Sequence, residues 1–198
     1  MLYFMQIIFG GLLMKTTAIF ASANQNGSTA LLLNTFLDAL SHRADDSVTI
    51  FEPYKMTPQP CMGCGACSEA DICIHDDLDR LWSAVAESSL LVIASPVYFR
   101  GLPSPLKAVI DRTQRHYMAK LRGDSPLCAA EREAVVLLAA GTNMEDGETA
   151  ARELHHALTA LGVVRTRVIV AGGTNYHPVT PEKLAEIRAA AAELRCLK

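Results

Sequence analysis

The sequence of 198 residues lacks runs of lysine and arginine, and it lacks an apolar segment long enough to cross a bilayer. A membrane-spanning helix needs about 20 consecutive apolar residues, and a nucleic-acid-binding surface is usually marked by clustered basic residues. The formal net charge is −3 at pH 7. We therefore expect neither a membrane nor a nucleic acid as a partner.

Two phosphate-binding fingerprints are also missing. The sequence has no Gly-Lys-Ser/Thr P-loop and no Gly-x-Gly-x-x-Gly dinucleotide motif. It has no internal repeat or low-complexity tract, and its length fits one domain. With 50% hydrophobic and 20% charged residues, the composition predicts a soluble globular protein with a buried core.

Residues 1–13 form an apolar N-terminal extension without a charge. Lys15 follows the apolar run, whereas a secretory signal has its basic residues in front. The codons for Gly10 and Gly11 would resemble a purine-rich ribosome-binding site, so we expect Met14 to be the natural start and 14–198 to be the single domain. The alternative is an authentic segment that packs on the domain or on a neighbouring subunit, and peptide mass mapping of natively expressed protein separates the two.

Apolar runs of strand length alternate with segments of helical periodicity. Strands are predicted at 15–22, 47–51, 89–94, 133–140 and 163–171. Helices are predicted at 30–43, 150–161 and 181–197. Two further helices are predicted, one that begins after a cap at Asp76 or Asp77 and one that begins after a cap at Ser104, with Pro105 at its first position. This alternation predicts an α/β fold with a parallel sheet covered by helices on both faces.

The loop between the first strand and the first helix is rich in small polar residues. Free backbone N–H groups and the helix dipole make such a loop suitable for an anion, although the same residue types occur in ordinary helix-capping turns. The side chains available to a phosphate are those of Ser22, Asn24, Asn26, Ser28 and Thr29.

The cysteines are concentrated between the second strand and the second helix. Small residues, among them Gly63 and Gly65, separate Cys61, Cys64, Cys67 and Cys73. Short spacings of this kind let thiolates converge on an iron–sulfur cluster. A zinc site, a thiol pair, or a loop that has lost its cluster are the alternatives, whereas a chain of this size does not need a disulfide framework.

The remaining cysteines and the histidines carry weaker signals. Cys128 and Cys196 are isolated, so cysteine usage favours a reducing compartment, the cytoplasm. His75 lies two residues from Cys73 and could hydrogen-bond a cluster sulfur or supply a proton. Surface or packing roles are predicted for the other histidines, which are His42, His116, His155, His156 and His177.

Ligands of parallel α/β sheets bind beyond the carboxyl ends of the strands. The Ser-Pro-Val-Tyr-Phe loop at 95–99 and the Gly-Thr-Asn loop at 141–143 should therefore meet the loop at 22–29, with the cysteine loop beside them. Together these are the loops that a flavin would need.

Residues 22–29, 61–77, 95–99 and 106–112 resemble the motifs of the flavodoxin-like NADPH-dependent FMN reductases. The cysteine spacing is similar to that of the iron–sulfur flavoproteins within that group. The resemblance covers nearly the whole chain from Met14 onward. It implies a flavodoxin-like, doubly wound sheet of five parallel strands in the order 2-1-3-4-5.

The resemblance also implies roles for individual residues. Asn24 stands where many relatives carry a basic residue, so phosphate binding would depend on N–H and hydroxyl donors. The FMN phosphate would be held by Ser22, Asn24, Asn26, Ser28 and Thr29. The isoalloxazine ring would be lined by the loop of Ser95, Pro96, Val97, Tyr98 and Phe99 and closed by Gly141, Thr142 and Asn143. One 4Fe-4S cluster would be bound by Cys61, Cys64, Cys67 and Cys73.

The implied function is an FMN-dependent oxidoreductase or electron-transfer flavoprotein linked to NAD(P)H or a ferredoxin-like donor, with a small-molecule or protein redox partner. One alternative is an NAD(P)H-dependent flavin, quinone or nitro reductase without a cluster. Another is a non-catalytic flavodoxin-like module whose cysteine loop binds zinc or senses oxidants. On sequence alone, Tyr98 and Phe99 could also be plain core residues. A homodimer or homotetramer is expected.

Overall fold

The computed structural model describes residues 14–40, 46–127 and 131–196, and the N-terminal extension, His42 and Cys128 lie outside them. Five parallel strands form one sheet in the order β2-β1-β3-β4-β5. This confirms the predicted flavodoxin-like sheet. The strands are β1 (Lys15–Phe20), β2 (Ser47–Phe51), β3 (Leu90–Val97), β4 (Arg132–Ala140) and β5 (Val163–Ala171).

Helices cover both faces of the sheet. They are α1 (Ser28–Ala39), α2 (Pro53–Met56), α3 (Ala66–Glu69), α4 (Asp79–Glu87), α5 (Ser104–Arg112), α6 (Gln114–Arg122), α7 (Met144–Ala160) and α8 (Pro181–Cys196). Phe36 of α1 and Ile187 of α8 share one core cluster with Val92. Trp82 of α4 and Leu154 of α7 share the other with Ile93. Because successive strand side chains point to opposite faces, Val92 and Ile93 serve different layers.

Several predicted helix starts are wrong. The helix after the fourth strand was expected to begin at Ala150, but α7 begins at Met144 with Asn143 as its N-cap. Gly147 concealed this start because glycine disfavours helix interiors. Here it is required, since a Cβ atom at Gly147 would lie 2.3 Å from Cγ1 of Val170 in β5.

The predicted caps at Asp76 or Asp77 and at Ser104 are also wrong. Leu78 occupies the N-cap position of α4, and the carboxylate of Asp77 instead accepts a hydrogen bond from Arg112. Pro103 is the N-cap of α5, which moves Ser104 one position into the helix. The short helices α2 and α3 and the whole of α6 were not predicted.

None of the helices in the described ranges is long and apolar enough to cross a membrane.

Candidate functional site

The loops that follow β1, β3 and β4 emerge at one edge of the sheet, because neighbouring strands are parallel. Beyond the strand pairing, the N–H of Ala21 donates to the carbonyl of Ala94 at 2.8 Å, which holds the first two loops together. The predicted convergence of these loops follows from this topology.

The loop after β1 folds upon itself. The backbone N–H of Asn24 lies 3.2 Å from Oγ of the buried Ser22, and Oδ1 of Asn24 accepts the N–H of Asn26 at 3.0 Å. A Cβ atom at Gly27 would lie 3.0 Å from Nδ2 of Asn24. Ser22 and Asn24 therefore shape this loop through their own side chains, and glycine at 27 allows its close approach.

The N-terminus of α1 is open to an anion. Gly27 at the N-cap offers no side-chain hydrogen bond, and the first turn contains no acidic residue. Thr29 is buried in this turn, and Ser28 is half-buried. Backbone N–H groups at a helix start, with the positive end of the helix dipole behind them, form a site for a phosphate.

The loop after β3 is partly strand. Pro96 and Val97 extend β3 and pair with Ala139 and Ala140 of β4, although both were predicted as loop residues. Ser95 is fully buried, and its hydroxyl donates to the carbonyl of Pro96 at 2.8 Å. Proline is tolerated here because β1 pairs with β3 only as far as Ala94, so Pro96 lies beside a locally unpaired edge.

A tight turn follows at 98–101. Tyr98 and Gly101 exchange two backbone hydrogen bonds of 3.0 and 2.9 Å, and the φ angles of Phe99 and Arg100 are +50° and +64°. Two positive φ angles define a hairpin turn that usually contains glycine or asparagine. Phe99 is fully exposed and Tyr98 is half-exposed, so neither is a core residue. A bulky aromatic side chain held outward on a strained backbone indicates a functional constraint.

Tyr54 of α2 is a neighbour of this turn that the sequence did not reveal. Burial raises the pKa of Tyr54, and the adjacent, hydrogen-bonding Tyr98 raises that pKa further. Glu52, the N-cap residue of α2, contacts the loop after β1, since Nε2 of Gln25 donates to its Oε2 at 2.8 Å. The only sequence signal for Tyr54 is an aromatic residue just beyond the carboxyl end of a strand.

The loop after β4 packs against the loop after β5. The N–H of Asn175 donates to the carbonyl of Gly141 at 3.1 Å, and a Cβ atom at Gly141 would lie 2.4 Å from Nδ2 of Asn175. Thr142 is exposed. Oδ1 of Asn143 accepts the N–H of Asp146 at 3.0 Å and so caps α7. Of the three predicted residues in this loop, Asn143 thus already has a structural role.

The four clustered cysteines line a single cavity of about 520 Å³. All four are free thiols. Burial raises the pKa of the Cys67 thiol, and the other three cysteines are close enough to raise that pKa further. In residues 14–40, 46–127 and 131–196, no group of three His, Cys, Asp or Glu side chains is placed to hold a single metal ion.

Glycine shapes the cysteine loop. Gly63 and Gly65 have φ angles of +63° and +79°, and a Cβ atom at either position would meet nothing within 4 Å. Backbone conformation, rather than space, therefore requires glycine at both positions. Turns with left-handed residues orient backbone N–H groups into anion-binding concavities, including those of many iron–sulfur sites.

Three arginines of α5 and α6 hold this loop against the domain. Arg115 contacts the carboxylate of Asp71 through Nε at 2.8 Å, and Arg122 donates to the carbonyl of Cys67 at 2.6 Å. Arg112 contacts the loop at both ends, and Arg112 and Arg115 also line the cavity. The cavity is therefore lined by two arginines, each paired with a carboxylate, together with Asp111.

His116 is the histidine with the most perturbed pKa. Burial lowers this pKa to about 4, against the opposing effect of Asp71, whose Oδ1 lies 3.9 Å from Nδ1. The His116 ring contacts the Trp82 ring edge-on, with 4.8 Å between centroids. This agrees with the predicted packing role. His75 is half-buried and lies in the cavity wall.

A sequence profile of the NADPH-dependent FMN reductase family matches residues 14–176. The chain belongs to this family. It is 31% identical to an iron–sulfur flavoprotein of Methanosarcina thermophila over 50% of this chain and 52% of that protein. It is 27% identical to an iron–sulfur flavoprotein of Archaeoglobus fulgidus over 86% of this chain and 74% of that protein. The chain spans about half the length of two curated relatives it matches.

Solved structures confirm the fold. NAD(P)H:quinone oxidoreductase from Methanothermobacter marburgensis superposes with a TM-score of 0.70 at 18% identity, covering 92% of this chain and 96% of the other. An FMN-dependent NADH-azoreductase from Bacillus anthracis, solved in complex with FMN, superposes with a TM-score of 0.67 at 16% identity, covering 91% and 99%. At these identities the likeness concerns the fold.

Proposed function

We propose that this protein is an FMN-dependent oxidoreductase that accepts electrons from NAD(P)H or a ferredoxin-like protein and holds one 4Fe-4S cluster on its cysteine loop. The observation that supports it most directly is the pairing of two sites on neighbouring loops. One is an uncapped helix start free of acidic residues, and the other is a cavity lined by four thiols.

The FMN site rests on the loops at the strand ends. The phosphate would lie at the start of α1, against the backbone N–H groups and the hydroxyls of Ser28 and Thr29. The remaining predicted phosphate residues, Ser22, Asn24 and Asn26, would keep the loop in shape. Bound FMN supplies the exchange of one or two electrons, while the 95–99 and 141–143 loops orient the ring.

The cysteine cavity fits an anionic iron–sulfur cluster. Cys61, Cys64, Cys67 and Cys73 supply four thiols, which would become the thiolate ligands of the cluster. A bound metal centre deprotonates coordinating thiols. Arg112 lines the cavity, and its buried Nε has no hydrogen-bond partner in the described part of the chain, so one N–H of this side chain lacks an acceptor.

A second function is also a candidate, a quinone, flavin or nitro reductase without a cluster. A further relative is an FMN-dependent NADH:quinone oxidoreductase of Beijerinckia indica, 29% identical over 59% of this chain.

The deciding experiment is anaerobic purification followed by FMN, iron, sulfide and zinc analysis, with electron paramagnetic resonance after reduction, on wild type and Cys64→Ser. Iron and acid-labile sulfide in near-equal amounts, lost in Cys64→Ser while FMN stays, support the cluster. Zinc at one per chain, or neither metal with FMN present, leaves the plain reductase or the zinc-binding module. Bleaching of the flavin by NADH, NADPH or reduced ferredoxin then identifies the donor, and a flavin that none of them reduces excludes the enzyme.

We also propose a homodimer or homotetramer. Phe99 is fully exposed and Tyr98 half-exposed beside the proposed ring site, where a second subunit would bury them. Light scattering of the holoprotein measures the assembly, and a monomer at every concentration contradicts it.

A further inference from the structure

Arg112 occupies an unusual place for an arginine. Its side chain lies in the last turn of α5 and is only 2% exposed. Nη1 donates to the carboxylate of Asp77 and lies 3.4 Å from the carbonyl of Gln59, and Nη2 donates to the carbonyl of His75 at 2.7 Å. A buried guanidinium is unfavourable unless its donors are satisfied, so these contacts fix its position.

The three partners of Arg112 flank the cysteine loop. Gln59 precedes the loop by two residues, and His75 and Asp77 follow it. The carboxylate of Asp77 also accepts the N–H of Gln59 through Oδ2 at 2.9 Å, which joins the two ends directly. Arg112 and Asp77 therefore form a clasp that closes the loop on which all four thiols lie.

One N–H of the guanidinium is not used by this clasp. Nε of Arg112 is buried and has no hydrogen-bond partner among the described residues, and the same holds for Nε2 of His75. Both residues line the cavity that contains the thiols. A buried N–H without an acceptor is unfavourable, so the Nε–H of Arg112 lacks an acceptor that a ligand of this cavity could supply, whereas Nε2 of His75 donates or accepts according to its tautomer.

We propose that Arg112 is a positioning residue for the ligand of this cavity. Its Nη atoms close the loop, and its Nε–H would donate to a sulfur of the cluster. The inference rests on the proposed function, since it takes the anionic ligand to be the 4Fe-4S cluster. The guanidinium, which is paired with Asp77, and its Nε–H would stabilise the added negative charge of a reduced cluster, so they would raise the reduction potential, which hydrogen bonds and local charge control.

Two substitutions distinguish the effect of the Arg112 hydrogen bonds, which form the clasp, from the effect of its charge. Arg112→Lys keeps the charge but loses the planar fork of donors, and Arg112→Gln removes the charge. Arg152→Gln is the matched control, because Arg152 is an exposed arginine of α7 that contacts Thr149 and does not line the cavity. FMN content and thermal unfolding report whether each variant is folded.

In wild type and the control we expect equal iron and sulfide and the same reduction potential. Arg112→Gln should bind the cluster about 10- to 100-fold more weakly in a chelator titration, as for other groups that hold metal ligands in place. Its residual cluster should have a lower potential, and its metal-free thiols should react faster with a thiol reagent. Arg112→Lys should lose iron as well but shift the potential less, with FMN retained in both.

The two proposals fail differently. If wild type binds iron and Arg112→Gln has the same cluster affinity and reduction potential, only the role of Arg112 is overturned. A wild type that binds FMN but no iron or sulfide overturns the cluster and this inference together. Variants that lose FMN and unfold along with the iron also contradict the inference, because the residue would then support the whole domain.

Discussion

Nε of Arg100 lies 2.8 Å from Oδ1 of Asp146 and ties the Tyr98–Gly101 turn to the first turn of α7. The turn is thus held from outside while its backbone remains strained at Phe99 and Arg100. The ion pair itself contributes little, since Arg100 is mostly exposed.

Replacing Phe99 with glycine should leave the free energy of unfolding within about 1 kcal/mol of wild type, because the left-handed strain is removed and the exposed ring packs on nothing. Turnover with a quinone or flavin acceptor should fall, since the turn loses its aromatic surface. Denaturant unfolding and steady-state kinetics measure the two effects, with Phe99→Leu as the control that keeps the backbone strained. A concentration-dependent loss of stability would instead place Phe99 in a subunit interface.

Replacing Ser28 and Thr29 together with alanine should weaken FMN binding by a few kcal/mol, because each hydrogen bond to a charged group is worth about 1.5–3 kcal/mol. FMN should still be preferred over FAD, as the chain has no dinucleotide motif. Fluorescence titration of the apoprotein measures both affinities.

Thr180→Ala is the matched control, because Thr180 precedes α8, where its Oγ1 lies 3.3 Å from the N–H of Lys183. Unchanged FMN affinity in the double variant would refute the phosphate site at α1.

The strand order was expected from the family resemblance, whereas the central strand was predictable from the residues themselves because it is a continuous apolar run. Residues 90–94 of β3 are all buried, as expected at the centre of a parallel sheet. Helix α6 was not predictable in the same way. Only His116 and Ala119 are buried in it, and its other positions are polar, exposed or, at Met118, half-buried. Two buried positions in nine residues do not make a recognisable stripe.

The candidate site was likewise predictable only in part. The cysteine spacing by itself indicates a common site, since ligands this close in sequence are brought together by the loop that carries them. The partners of Arg112 are 35 to 53 residues away in sequence, and a charged residue at the end of an amphipathic helix is ordinarily solvated. The left-handed backbone of Phe99 had no signal either, because that conformation normally selects glycine or asparagine.

Gly147→Ala should destabilise the fold by about 1–3 kcal/mol, although alanine is the better helix former, because the new methyl group would lie 2.3 Å from Val170. Thermal or denaturant unfolding measures the loss. In the double variant with Val170→Ala, the cost of Gly147→Ala should largely disappear, since the opposing methyl groups are gone. Additive losses in this cycle would show that the helix moves away from the strand without resistance.

The pH dependence of stability should depend strongly on His116. Its pKa is lowered to about 4 in the folded protein, first by burial and then by the charges of Arg115 and Arg132, against Asp71 and Asp79. The unfolded chain has the ordinary value of 6.5 and so binds the proton more readily. Stability should therefore be complete above pH 6.5, fall as the pH drops, and level off below pH 4 after a loss of about 3 kcal/mol.

His116→Phe keeps an aromatic ring against Trp82 and removes the titration, so its stability should be nearly constant where that of wild type falls. His156→Phe, at an exposed position on α7, is the control and should follow wild type.

Burial raises the pKa of Asp77, but hydrogen bonds from Arg112 and Gln59 outweigh this and hold the pKa below the ordinary 3.8. Its stabilisation is complete above that value and is lost as the pH falls towards the lowered pKa, below the histidine range. Urea unfolding at several pH values measures the difference, and parallel curves for wild type and His116→Phe would show that the buried ring does not resist protonation.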